Sequence, residues 1–167
     1  MDKPMLQTLI KNAMKAELDS VTLYRLAREN AEDADVVAFL EGRITEEKSH
    51  YNYLVELYRT LDAAKSAADL VVEIPECCET VSPVISEECI TRVAGNQVLF
   101  SAFSMAALLE KQSMEFYRDA AERSESSSAK AFFQQMMKWE SSHYDDVLTI
   151  QKEAELRFWQ QNRFEPF

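Results

Sequence analysis

The chain has 167 residues, 29 acidic against 18 basic side chains and a formal net charge of −11, with only two Gly, two His and three Cys. That length fits one domain, and a 47% hydrophobic composition is enough to fill its core. So few glycines exclude a turn-rich β fold or a Gly-rich phosphate loop, and the acid surplus excludes a general nucleic-acid binder.

The first predicted helix places Leu6, Ile10, Ala13, Glu17, Ser20, Tyr24 and Ala27 on one face, stepping by threes and fours. Polar residues from Asn30 to Asp35 end it. The second helix repeats the spacing with Leu40, Ile44, Glu47, Tyr51, Leu54, Tyr58 and Leu61. Residues 62–86 lose the period: Pro75, Pro83 and a short Val71-Val72-Glu73-Ile74 run mark a long crossover. The third helix carries Leu99, Phe103, Ala106, Glu110, Ser113, Tyr117 and Ala120 on its stripe. A turn follows from Ser124 to Ser128, with Ser128 placed to cap the fourth helix. That helix carries Phe133, Met137, Glu140, Tyr144, Val147, Gln151 and Ala154, and a short tail covers about 161–167. The expected fold is all-α, with two helix hairpins joined by one crossover. This is a four-helix bundle of ferritin-like connectivity, one domain over residues 1–167.

The hairpins are copies of each other. At an offset of 93, positions 13–51 and 106–144 share 14 of 39 residues. The shared residues include Glu17/Glu110, Ser20/Ser113, Tyr24/Tyr117, Glu47/Glu140 and His50/His143. A repeat this long is a duplicated hairpin and not a solenoid unit, so the bundle should have a pseudo-twofold axis. Core-face residues should then meet their copies near that axis.

Glu17, Glu47, Glu110 and Glu140 are out of place, because each interrupts an apolar stripe. A buried, unpaired carboxylate costs several kcal/mol or takes up a proton, and four together repel unless cations separate them. His50 and His143 follow Glu47 and Glu140 by three residues, which puts each His on the face of its Glu. Glu, then Glu-x-x-His 30 residues later, occurs twice and uses both histidines of the chain. This is the ligand arrangement described for ferritin-like di-iron and di-manganese carboxylate bundles. Four carboxylates and two imidazoles suit two iron ions, or manganese, better than zinc, and they balance two divalent charges. Glu47 and Glu140 are placed to bridge the metals, with Glu17 and Glu110 as outer ligands.

On Glu17, Glu47-Lys48-Ser49-His50, Glu110 and Glu140-Ser141-Ser142-His143, the chain resembles the rubrerythrin family over residues 5–160. The resemblance implies a di-iron centre that reduces hydrogen peroxide and protects against oxidative stress. It also implies that Tyr24 and Tyr117 hydrogen-bond ligand carboxylates and tune them. Two departures stand out. Rubrerythrins typically carry a further Glu three residues after the third-helix ligand, which takes part when iron shifts on reduction; here Ser113 stands there, matching Ser20. The residues after 160 hold no cysteine pairs, so the resemblance implies a separate, rubredoxin-like electron donor.

Cys77, Cys78 and Cys89 show no metal-ligand spacing and read as reduced structural thiols. Phe158, Trp159, Phe164 and Phe167 read as a helix end packing on the bundle or on a second copy in a homodimer or larger homo-oligomer. No apolar run approaches the ~18 residues of a membrane span, and Met1 to Pro4 open no signal-peptide core, so a cytoplasmic location without a membrane partner is expected. The expected activity is that of a di-iron peroxidase or oxidase acting on peroxide or dioxygen, with no catalytic residue beyond the metal ligands. The alternatives are a ferroxidase or iron-handling protein, a di-iron hydroxylase of an organic substrate, and a non-catalytic helical interaction protein.

Overall fold

The computed structural model describes residues 1–74 and 85–161, among which there are five helices and no strand. Helix α1 spans Lys3–Glu29, α2 Ala34–Ala63, α3 Glu87–Gly95, α4 Gln97–Arg123 and α5 Ser127–Gln161. Short polar side chains start them. Asp2 accepts from the Met5 amide ahead of α1, and Asp33 accepts from Asp35 and Val36 ahead of α2.

Two local features differ from the sequence expectation. The exit of the crossover is a fifth, nine-residue helix, α3, which buries Cys89, Ile90, Val93 and Ala94. Ser86 caps it, and Asn96 both ends it and caps α4 by accepting from Val98 and Leu99. The chain bends by 108° between α3 and α4, which folds the short helix back onto α5. Two turns carry too little periodicity to stand out against a proline-bearing crossover. The second difference is that Ser126, not Ser128, caps α5, accepting from the Ala129 amide. The Ser128 hydroxyl instead binds the Leu70 carbonyl at 2.8 Å and receives the Val72 amide at 3.2 Å, tethering the crossover. Cys77, Cys78, Phe164 and Phe167 lie outside the described residues, as do the middle of the crossover and the tail beyond Gln161.

Helix α1 packs along α2 and α4 along α5, and the two hairpins join through α1 against α4. The core is two apolar slabs. One holds Tyr24, Phe39, Leu40, Phe103, Val147 and Ile150, with α3 against it. The other holds Ile10, Leu54, Leu57, Tyr117, Phe133 and Met136. Each fully buried Leu, Ile or Phe stabilises the fold by about 1.5–3 kcal/mol. Between the slabs lies a layer in which the buried side chains are polar, and the pseudo-twofold axis implied by the repeat runs through it.

Candidate metal centre

Each of the four long helices delivers its anomalous residues to that layer. Glu17 comes from α1, Glu47 and His50 from α2, Glu110 from α4, and Glu140 and His143 from α5, none more than 4% exposed. The i,i+3 spacing turns each His toward the carboxylates of the opposite hairpin. His50 Nδ1 lies 2.9 Å from Glu140, and His143 Nδ1 lies 2.8 Å from Glu47. The two imidazoles stack with centroids 5.2 Å apart and planes at 13°.

The carboxylates divide into two kinds. Glu47 reaches both imidazoles, its other oxygen lying 3.7 Å from His50 Nδ1. Glu140 does the same, with its second oxygen 4.0 Å from His143 Nδ1. Glu17 approaches only His50, at 3.6 Å, and Glu110 only His143, at 3.8 Å. Two carboxylates are therefore central and two are outer. Tyr24 and Tyr117 belong to the same site: Tyr24 donates to Glu110, and Tyr117 donates to Glu17.

The electrostatics show what the site demands. Burial pushes the Glu17 carboxyl up to about 8, with the nearby Glu47 charge adding to it and His50 opposing. Burial likewise raises Glu110, and it raises Glu140 well above the carboxylate range with help from Glu17 and Glu47. Burial acts the same way on Glu47, but contacts with His143 and His50 outweigh it and hold this carboxyl low. Burial disfavours both imidazolium ions, yet Glu140 raises His50 well above its usual value, and Glu46 with Glu47 raises His143 to about 9. Taken by themselves, five of the six side chains hold their protons more tightly than usual around the one low carboxylate, Glu47. The site is built around positive charge.

Hydrogen bonding leaves room for that charge to be a metal. Both oxygens of Glu47 and of Glu140, Glu110 Oε2 and the Nδ1 atoms of His50 and His143 are buried without an aligned hydrogen-bond partner among the described residues. Each such atom costs about 1–3 kcal/mol, so gathering them at one spot calls for a ligand that satisfies them together. Glu47, His50, Glu140 and His143 offer ligand atoms all within 4.8 Å of one another, a group that could hold a metal ion. Oxygen-rich donors with two imidazoles fit iron or manganese. A model of the rubrerythrin family matches residues 8–150.

The chain belongs to the rubrerythrin family. No curated protein and no solved structure matches it. Rubrerythrin membership and the buried Glu/His cluster together point to a metal centre of the di-iron type. Among the described residues, no single helix of this rubrerythrin-family chain is long and apolar enough to cross a membrane.

Sequence reasoning missed the residues behind the two histidines. Glu46 Oε2 lies 3.2 Å from His143 Nε2 and 2.9 Å from Arg43, which also contacts Asp146 at 2.7 Å. Trp139 stacks on His50 at 5.2 Å with planes at 9°, and Tyr53 lies beside it at 5.6 Å. The repeat carried a usable signal: Arg43 aligns with Met136, and both are buried, so a charge occupies a core position. Cys89 stands apart from the site. Burial, with Asp33 and Asp35 nearby, pushes its thiol up to about 11, which leaves it protonated and unreactive at neutral pH. Phe158 and Trp159 end α5 in an edge-to-face pair beside a groove lined by Gly95 and Phe100.

Proposed function

We propose that this chain is a di-iron oxidoreductase that reduces hydrogen peroxide or dioxygen with electrons from a separate, rubredoxin-like protein. The observation that carries the reading is the division of the carboxylates, with Glu47 and Glu140 each between both imidazoles and Glu17 and Glu110 each facing one. Glu47 and Glu140 would bridge two ions; Glu17 and His50 would complete one position, Glu110 and His143 the other. Iron held there would supply the two electrons that, with two protons, convert one hydrogen peroxide into two waters.

The protein's own residues orient and shield the centre. Tyr24 and Tyr117 fix the outer carboxylates by donating to them, and the apolar slabs keep bulk water from either end. A groove of about 200 Å³ between α1 and α4 is lined by Ala13, Ser20, Ser113 and Tyr117. Ser20 and Ser113 follow Glu17 and Glu110 by three residues on the same helix faces, so the groove approaches the outer carboxylates. Its size suits a molecule as small as peroxide or dioxygen, which favours these over a bulky organic substrate.

Metal analysis of the native protein should find about two iron or manganese ions per chain, as the paired donor set requires. Stopped-flow mixing of the anaerobically reduced protein then ranks the oxidants. Peroxide should oxidise the site faster than dioxygen, and the peroxidase reading fails if it does not. Size-exclusion chromatography should show a homodimer or tetramer in the cytoplasmic enzyme we propose; a large closed shell would favour iron storage.

A further inference from the structure

Three positions of the repeat surround each histidine, and the two copies fill them with opposite chemistry. Behind His143 stand Glu46, Arg43 and Asp146; their counterparts at an offset of 93 are Trp139, Met136 and Tyr53. The first set is a chain of buried charge in which Glu46 lies between His143 Nε2 and Arg43, and Arg43 between Glu46 and the partly buried Asp146. From the second set, Trp139 stacks on His50, and Tyr53 packs at a tilt against Trp139.

We propose that the two metal positions are inequivalent, and that Glu46, anchored by Arg43 and Asp146, makes the position served by His143 the tighter one. The inference rests on the metal-centre reading and deepens it. An imidazole offers a metal the nitrogen that carries no proton, and a carboxylate on the other nitrogen keeps the proton there. Glu46 sits on Nε2 of His143, so the lone pair at Nδ1 is directed at Glu47, Glu110 and Glu140. A carboxylate in this place also makes the imidazole a stronger donor, an effect commonly worth ten- to a hundred-fold in metal affinity. Trp139 holds the plane of the His50 ring, but an indole has no acceptor with which to select a tautomer.

Arg43 gives the relay its direction. Buried at 2% exposure, it would be costly without partners, and an ion pair in a protein interior is weak evidence of stabilisation for its own sake. Asp146 fixes the guanidinium on one side, and the other side holds Glu46 from behind, so that the carboxylate keeps its place against His143. Glu46 is thus a positioning residue: it acts on the metal through the histidine.

The test is calorimetric titration of metal-stripped protein with cobalt(II) under anaerobic conditions. The intact chain should bind in two steps whose affinities differ by about ten- to a hundred-fold. Glu46→Gln should lower the tighter step by a similar factor and leave the weaker one in place, whereas Trp139→Phe should leave the tighter step unchanged. Asp146→Asn, a milder change at a partly exposed site, should shift the tighter step in the same direction by less. Nitrogen-15 spectra of the zinc(II)-loaded protein read the tautomers directly, since the chain has only two histidines. His143 should carry its proton on Nε2, with a slowly exchanging signal that Glu46→Gln abolishes. Two equal steps, or a Glu46→Gln protein with an unaltered tighter step, would overturn the proposal while the metal-centre reading stands. Failure to bind cobalt at all would remove both.

Discussion

The phenol of Tyr24, on α1, donates its hydrogen bond to Glu110, on α4, and not to Glu17 two turns earlier on its own helix. Tyr117 makes the reciprocal bond to Glu17. The two bonds cross the α1–α4 contact in opposite directions and tie the outer carboxylate of each repeat to the helix of the other. Both phenols are 1% exposed, and burial followed by the neighbouring carboxylate charges holds both well above the usual tyrosine range, so they remain donors. One apolar slab supports Tyr24 and the other Tyr117, which joins the packing of the bundle to the orientation of the site.

Tyr24→Phe removes the donor and leaves a buried Glu110 oxygen without it. Leaving a buried acceptor without its partner costs about 1–3 kcal/mol. The urea midpoint of the metal-stripped protein should fall accordingly, with the m-value unchanged. Tyr117→Phe should cost a similar amount, because the repeat places it in the equivalent position; a cost in only one of the two would break that equivalence.

The central carboxylates should matter more for metal content than the outer ones. Glu47 and Glu140 each face both imidazoles, so Glu47→Ala removes a donor from both positions at once. Elemental analysis should find well under one metal per chain in Glu47→Ala, against retention of one of two in Glu17→Ala. His143→Ala should lose the position beside Glu110 preferentially.

Without metal, stability should fall as pH rises from about 4.5 to about 9. The folded His143 holds its proton up to about 9 against 6.5 when unfolded, and the folded Glu17 up to about 8 against 4.5. In both cases the folded chain binds more protons than the unfolded one between the two values, so the slope of stability with pH is negative there. The Glu17 contribution is complete below pH 4.5 and lost as pH rises through about 8; that of His143 is complete below 6.5 and lost through about 9. Thermal melts across this range should show the decline, and Glu17→Gln should flatten it. Metal binding must displace these protons, so calorimetry in buffers of different ionisation heat should detect proton release.

The slabs and the caps should differ in cost. Phe133 has no exposed surface and packs between Phe132 and Tyr117, so Phe133→Ala should cost about 3–5 kcal/mol. Asn96→Ala at the bend should cost about 1 kcal/mol through the lost α4 cap. Chemical denaturation ranks the two, and a reversed order would mean that the α3–α4 corner, not the slab, limits stability.

Much of this was legible in one dimension. The four long stripes gave their helices because residues three and four apart share a face whatever surrounds them. Glu-x-x-His was legible for the same reason: the spacing alone puts Glu47 with His50 and Glu140 with His143. Helix α3 was not, since nine residues after a proline-bearing stretch hold too few turns to establish a period. The Ser126 cap was hidden in a run of four serines between 124 and 128, because Ser126 and Ser128 both donate to the Leu70 carbonyl and which of them also caps the helix depends on where the crossover lies.

Sequence alone determined the helical class, the duplicated hairpins and the six side chains assigned to the core face. Those are consequences of backbone periodicity, which sets the direction of a side chain around its own helix. Tertiary structure alone decided the rest: that Tyr24 serves Glu110 and Tyr117 serves Glu17, and that Glu46 backs one histidine while Trp139 backs the other. These relations join residues up to 103 positions apart, as with Arg43 and Asp146. They depend on the rotation and axial offset of whole helices, which the packing of the two slabs sets and no local pattern encodes.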